Sequence, residues 1–174
     1  LATSVQAADL VLDNGASATS VEFIDGRTLR FTLDTPNDEG TFNYSLAEGA
    51  LSDLQSAGNP AYAGSFHVDH TGPQVESHSA DTNAPFTTLD LVFDEPLAAA
   101  SIGTADIASF TGPTGTAISV SSVTLVNGNT VRVTFAAQYA EGDYTLVLNP
   151  TLTDAVGNAM NQDDDSVNGE AGED

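Results

Sequence analysis

Oxygen-bearing side chains crowd one stretch near the end of the chain, Asn161-Gln162-Asp163-Asp164-Asp165-Ser166-Val167-Asn168-Gly169-Glu170. Calcium takes about six to eight oxygen ligands, and side-chain oxygens spaced along a glycine-bent loop can supply several of them. Counted from Asp164, Asp164, Ser166 and Asn168 fall at positions 1, 3 and 5 with Gly169 at 6, the spacing of an EF-hand loop. The acidic residue that such a loop carries at position 12 would lie beyond Asp174, and no helical pattern flanks the stretch, so an EF-hand proper is not expected. The reading is Ca2+ held by Asp163, Asp164, Asp165, Asn168 and Glu170; the alternative is a solvated acidic loop.

A second set of oxygens is dispersed in sequence. Asp53 and Asn59 lie on one expected turn, Asp69 ends an expected strand, and Asp94 and Glu95 follow another. A β-sandwich gathers its loops at two ends, so Asp53, Asp69 and Glu95 are expected to converge on an ion that limits interdomain swing. Turn geometry is the competing role for such Asp and Asn residues, and for Asp154 and Asn158 it is the role expected. His67, His70 and His78 straddle a Gly-Pro turn, which suits a polar junction better than a zinc site.

Catalytic patterns are missing. The chain has no Cys, no serine in a nucleophile-elbow sequence and no Gly-rich loop opening a helix. A non-enzyme is expected. Asn43-Tyr44-Ser45 fits a glycosylation acceptor but falls inside a strand pattern and is discounted.

The elements that must position these oxygens are strands. Ser20–Leu33 (SVEFIDGRTLRFTL) returns as Ser122–Phe135 (SVTLVNGNTVRVTF), a shift of 102 positions. In both copies apolar residues alternate with polar ones, the period of a strand with one buried face. A three-residue loop, Val126-Asn127-Gly128, with Gly128 left-handed, would place Val123 opposite Val131 and keep that face whole; Gly26 would play the same part in the first copy. About five large side chains should be buried per hairpin, and because an isolated hairpin is marginal, each needs a second sheet.

The duplication extends further. Ala8-Asp9-Leu10 matches Ala105-Asp106-Ile107, GTFNYSLA (Gly40–Ala47) matches EGDYTLVLN, Leu51-Ser52-Asp53 matches Leu152-Thr153-Asp154, and Gly58-Asn59 matches Gly157-Asn158. The stretch from Pro73 to Leu97, including a strand at Thr88–Phe93, has no counterpart in the first copy. Conversely, the strand Tyr62–Val68 has none in the second, where Asn161–Asp174 reads as too polar to pack. The domains expected are 1–69, lacking its first two strands, and 70–174, lacking its last. Either the chain is a window on a longer array, or neighbouring molecules supply the strands.

Charge bounds the partners. The 174 residues carry 25 Asp+Glu against 3 Lys+Arg, all three of them Arg, for a net charge of −22. Nucleic acid and anionic membrane are excluded as expected partners, since both are met with Lys and Arg. No apolar run reaches bilayer-spanning length. An absence of Cys means no disulfides; it fits an extracellular protein stabilised by metal and equally permits a cytosolic one.

The ordered set Asp69-His70-Thr71-Gly72-Pro73, Phe93-Asp94-Glu95-Pro96-Leu97, NGNTVRVTF, EGDYTLVL and Thr153-Asp154-Ala155-Val156-Gly157-Asn158 resembles bacterial Ig-like repeat domains. The resemblance implies an all-β fold of tandem immunoglobulin-like Greek-key β-sandwiches and a secreted or cell-surface setting. It also implies a spacer, fibre or adhesive role and, at domain junctions, calcium. Partners would be neighbouring repeats or subunits, or surface glycans or proteins. Two other functions stay open: a filament subunit completed by strand donation, and a carbohydrate-binding module presenting Tyr62, Phe110 and Tyr139.

Overall fold

The computed structural model describes residues 5–13, 18–34, 39–80, 83 and 85–172; the Asn14-Gly15 turn signal and the acidic Glu173 and Asp174 lie outside them. The chain divides into two compact units, Leu1–Asp69 and His70–Asp174. The first holds β1 (Leu10–Leu12), β2 (Ala18–Phe23), β3 (Leu29–Leu33), β4 (Gly40–Leu46) and β5 (Tyr62–Val68). The second holds β6 (Val75–Ala80), β7 (Phe86–Phe93), β8 (Ile107–Thr111), β9 (Val120–Asn127), β10 (Thr130–Gln138) and β11 (Thr145–Leu148). No α-helix occurs among the described residues; three single 3₁₀ turns complete the regular structure.

In the second unit an antiparallel sheet of order β6-β7-β10-β9 faces a two-stranded sheet β11-β8. In immunoglobulin lettering these are A-B-E-D and F-C, the seven-stranded constant-type sandwich without its G strand. The alternating apolar positions of β7, β9 and β10 meet in the core, where Phe93 and Val133 are fully buried and Val131, Phe135, Leu91 and Val123 nearly so. Phe110 of β8 joins them and packs edge-on against Phe135 with ring centroids 4.8 Å apart. It is therefore a core residue and not an exposed aromatic, because its strand position faces the larger sheet.

The β9–β10 connection departs from the sequence expectation. Val131 pairs with Leu125 and Val133 with Val123, and the turn is Gly128-Asn129, with Asn127 Oδ1 accepting the Asn129 N–H at 3.1 Å. Neither Gly128 nor Gly26 has a positive φ. The pairing differs from expectation by two residues, which leaves every side chain on its own face, so alternation alone could not choose between the registers. Val126, the extra residue where the register shifts, is half exposed.

The first unit contains the sheet β1-β4-β5 and, separately, the hairpin β2-β3. These supply C-F-G and D-E of the same lettering, with no described strand beside β3 where β7 flanks β10. The hairpin face is accordingly not buried as expected: Val21, Leu29, Phe31 and Leu33 are only half-buried and Phe23 is exposed. The duplication is nonetheless faithful locally. Asp9 Oδ2 accepts the Gln6 N–H and Asp106 Oδ2 the Gly103 N–H, each at 2.7 Å, closing the same 3₁₀ turn in both copies.

The polar stretch after Met160 forms no strand and residues 162–167 are exposed, as expected, but its first residue packs against expectation. Asn161 is almost fully buried, its Oδ1 accepting the Asp165 N–H at 3.1 Å and its Nδ2 donating to the Asp165 carbonyl at 3.0 Å. Gln162 reaches β6, accepting the Val75 N–H at 2.7 Å. A buried amide with both ends satisfied folds a loop that hydropathy alone reads as solvated.

Candidate metal centre

Three short segments of the second unit's end are tied together by backbone. The turn after β7 places Glu95 beside the 150s: Leu97 bridges Asp154, and the Ala155 N–H donates to the Pro96 carbonyl at 3.1 Å. The lead-in segment, residues 71–74 ahead of β6, lies against Asp94, Asn158 and Asn161. Asn158 Nδ2 donates to the Thr71 carbonyl at 3.2 Å, the Asn161 N–H to the Pro73 carbonyl at 3.3 Å, and the Gln74 N–H to Asp94 Oδ1 at 2.9 Å. Gly72 allows this approach, since a Cβ there would fall 1.5 Å from the Ala159 carbonyl oxygen.

That scaffold assembles carboxylates. One oxygen each from Asp69, Glu95 and Asp154 lie within 4.8 Å of one another. Asp154 is fully buried and Asp69 and Glu95 half-buried. Asp154 Oδ1 accepts the N–H groups of Val156, Gly157 and Asn158 at 2.9, 2.5 and 2.8 Å, while Oδ2 accepts from Asn158 Nδ2 at 2.9 Å. Its turn role is thus as expected from sequence, and it also sets the carboxylate in the cluster. Three like charges at this spacing repel by about 1 to 3 kcal/mol per pair, depending on the local dielectric. Oxygens about 2.3 to 2.6 Å from a common Ca2+ stand up to about 5 Å apart, so the spacing suits one shared hard cation, and the all-oxygen donor set favours calcium over zinc.

The sequence-derived candidates separate into those inside this group and those outside it. Asp69 and Glu95 are inside. Asp53 is not: its Oδ1 accepts the Gln55 and Ala57 N–H groups at 2.9 and 2.8 Å, the first unit's version of the Asp154 turn. Asp163, Asp164, Asp165 and Glu170 also lie outside it. Asp165 Oδ1 accepts the Val167 N–H at 2.6 Å, Asp164 sits at φ 60°, and Asn168 Nδ2 donates to the His70 carbonyl at 2.7 Å. The carboxylate of this group that sequence reasoning left out is Asp154. Its match, Asp53, has no Phe93–Leu97 counterpart in the first copy to hint at a partner carboxylate.

The strand order and the loop cluster define an immunoglobulin-type β-sandwich. The model of the bacterial Ig-like domain matches residues 69–167, and the chain belongs to that family. The match begins at Asp69, so all three carboxylates fall within it. Members occur in bacterial surface proteins. Comparison with curated proteins and with solved structures found no match. No described helix is long and apolar enough to cross a membrane.

Proposed function

We propose that the chain is a mechanical segment of an extracellular bacterial surface protein, a stalk, fibre or adhesin element without catalytic activity, whose Ig-like domain is stiffened by Ca2+. The observation that carries this reading is the group of three carboxylates, Asp69, Glu95 and Asp154, drawn within 4.8 Å. Bound calcium would remove their mutual repulsion and cross-link three segments distant in sequence. A ligand present only in the folded state stabilises it by mass action, about 2.7 kcal/mol at a hundredfold excess over Kd. Asp163, Asp164, Asp165 and Glu170 serve as a weaker, outlying source of negative charge, Asn168 as a tie to the His70 carbonyl, and Asp53 as a turn residue.

The test is thermal unfolding of the full chain with calcium and with chelator. A midpoint that rises with Ca2+ in the parent chain and stays fixed in Glu95→Gln supports the site; equal midpoints in the parent chain remove calcium from the account. The carbohydrate-binding alternative is weakened by the burial of Phe110, which leaves Tyr62 and Tyr139 as the exposed members of the set.

A further inference from the structure

Three Asn-Gly pairs occur in the chain, beginning at Asn14, Asn127 and Asn168. Asparagine is among the thermolabile residues, and it is most so before glycine, which has no side chain to shield its nitrogen from the neighbouring carboxamide. Asn14 lies outside the described residues, so the comparison is between Asn127, at the β9–β10 tip, and Asn168, in the acidic loop. Both follow a valine, Val126 and Val167, so the local covalent chemistry is the same and the fold alone separates them.

In the acidic loop the reacting atoms are held. The Gly169 N–H donates to the Met160 carbonyl and Asn168 Nδ2 to the His70 carbonyl, both at 2.7 Å, and Asn168 is half-buried. At the hairpin tip Asn127 and Gly128 are exposed, and among the described residues neither the Gly128 N–H nor Asn127 Nδ2 donates a hydrogen bond. Asn127 Oδ1 accepts the Asn129 N–H at 3.1 Å, which keeps the carboxamide against the main chain and draws charge toward oxygen, leaving Cγ the more electrophilic. The first copy shows that a carboxylate is accommodated at this place. Asp25-Gly26 stands where Asn127-Gly128 does at the 102-residue shift, and Asp25 Oδ1 accepts the Arg27 N–H at 2.7 Å, the same bond to the residue two places on.

We infer that Asn127 is a site of spontaneous deamidation in the folded protein. The Gly128 nitrogen adds to Asn127 Cγ and gives up its proton as the Cγ–Nδ2 bond breaks, releasing ammonia and closing a succinimide. Water then opens either carbonyl of that ring to leave aspartate or isoaspartate. Aspartate keeps the turn, as Asp25 does, and adds a negative charge. Isoaspartate routes the main chain through Cβ and Cγ, which lengthens the tip where it grips the segment after β7. There the Leu97 N–H donates to the Gly128 carbonyl, the Phe93 N–H to the Asn129 carbonyl and Asn129 Nδ2 to the Phe93 carbonyl, each at 2.8 Å. Glu95 lies between those two anchors, so isoaspartate loosens the carboxylate group; that consequence rests on the proposed calcium reading, and the modification itself does not.

The full chain, incubated at mildly alkaline pH in excess chelator, is followed by peptide mapping that resolves the asparagine, aspartate and isoaspartate forms. Asn127 should convert at least about tenfold faster than Asn168, because two hydrogen bonds must open at Asn168-Gly169 before the ring can close and none need open at the tip. In denaturant the two rates should converge. Gly128→Ala should slow conversion of Asn127 severalfold and leave the unfolding midpoint in place, since φ there is not positive and the added Cβ would meet only the Pro96 side chain, 4.0 Å away. Conversion of Asn127 no faster than that of Asn168, a difference that persists in denaturant, or an unchanged rate in Gly128→Ala overturns the inference. Calcium added to the separated forms is a distinct readout. A smaller midpoint rise in the isoaspartate form than in the fresh chain ties the tip to Glu95, an equal rise cuts that tie, and no rise in either defeats the calcium reading while the modification stands.

Discussion

At the residue scale the most consequential side chain is Asp154, because it serves the fold and the candidate ion at once. Replacing it by Ala leaves the Val156, Gly157 and Asn158 N–H groups without their acceptor. Val156 and Gly157 are exposed and Asn158 half-buried, so water takes up part of the loss; at about 0.5 to 1.5 kcal/mol net for each hydrogen bond, Asp154→Ala should destabilise the second unit by about 2 kcal/mol in chelator as well as in calcium. Glu95→Gln separates the roles: it removes one of the three converging carboxylates, so the calcium-dependent rise disappears while the Asp154 turn is kept. Denaturant unfolding of both variants in the two media checks the pair.

Asp90 and Arg132 give a separate test by pH. They face each other across β7 and β10 and form a bidentate pair, Nε to Oδ1 and Nη2 to Oδ2 both at 2.7 Å. The Arg132 hydrogen bonds outweigh burial and hold the Asp90 carboxyl below its ordinary value. A depressed folded pKa means the contribution is present above the unfolded value of about 3.9 and is lost as pH falls through the lower folded value. Both groups are partly exposed, so the pair stabilises by about 1 kcal/mol at most. Asp90→Asn should lower stability slightly at pH 7, converge with the parent chain once pH has fallen through the lowered folded value, and flatten the acid limb between.

At the element scale the duplication itself supplies the control. Val131 and Leu29 are equivalent positions, as are Val133 and Phe31, yet the first of each pair is buried and the second only half-buried. Truncation in a closed core removes transfer energy and leaves a cavity, about 2 to 5 kcal/mol for a large aliphatic side chain, and less where water already reaches the site. Phe31→Ala should therefore cost less than its size suggests, and Val133→Ala more than its size suggests. Gly72→Ala tests the lead-in segment: its Cβ would collide with the Ala159 carbonyl, so the second unit should lose about 2 kcal/mol or more as the segment shifts.

These elements also mark where sequence reasoning reaches and stops. Alternation, Gly-Asn turns and the repeat made the strands β2, β3, β4, β5, β9 and β10 legible, because a period of two and a punctuating turn are local properties. The hairpin register was not, since pairings that differ by two residues bury the same face. Nor was the fold of the acidic loop, where one buried amide, Asn161, outweighs the polarity of its neighbours. For the site, Asp69 and Glu95 were legible as loop-end oxygens. Asp154 was legible only as a turn, because its approach to Glu95 depends on the Leu97–Asp154 bridge, a contact between residues 57 positions apart.

At the scale of the whole molecule the deciding quantity is charge against burial. With −22 on 174 residues, self-repulsion opposes the compact state at low ionic strength, and added salt shortens its range from about 30 Å at 0.01 M to about 10 Å at 0.1 M. Monovalent salt should therefore raise the unfolding midpoints of both units. Calcium should raise that of the second unit beyond the effect of equal ionic strength, because, among the described residues, the group of three carboxylates takes Glu95 and Asp154 from that unit and Asp69 from the position just before it. The two units should also unfold separately. The second has an apolar core of ten buried residues, while the first leaves the β2-β3 face half-exposed and so loses much of the burial that stabilises a sandwich. Calorimetry in chelator should show two transitions, the lower one abolished by deleting residues 1–68. Calcium should move the upper transition and leave the lower where added sodium chloride of matched ionic strength puts it; an equal shift of both would mean that calcium acts on this chain as diffuse counter-charge and not through a chelate.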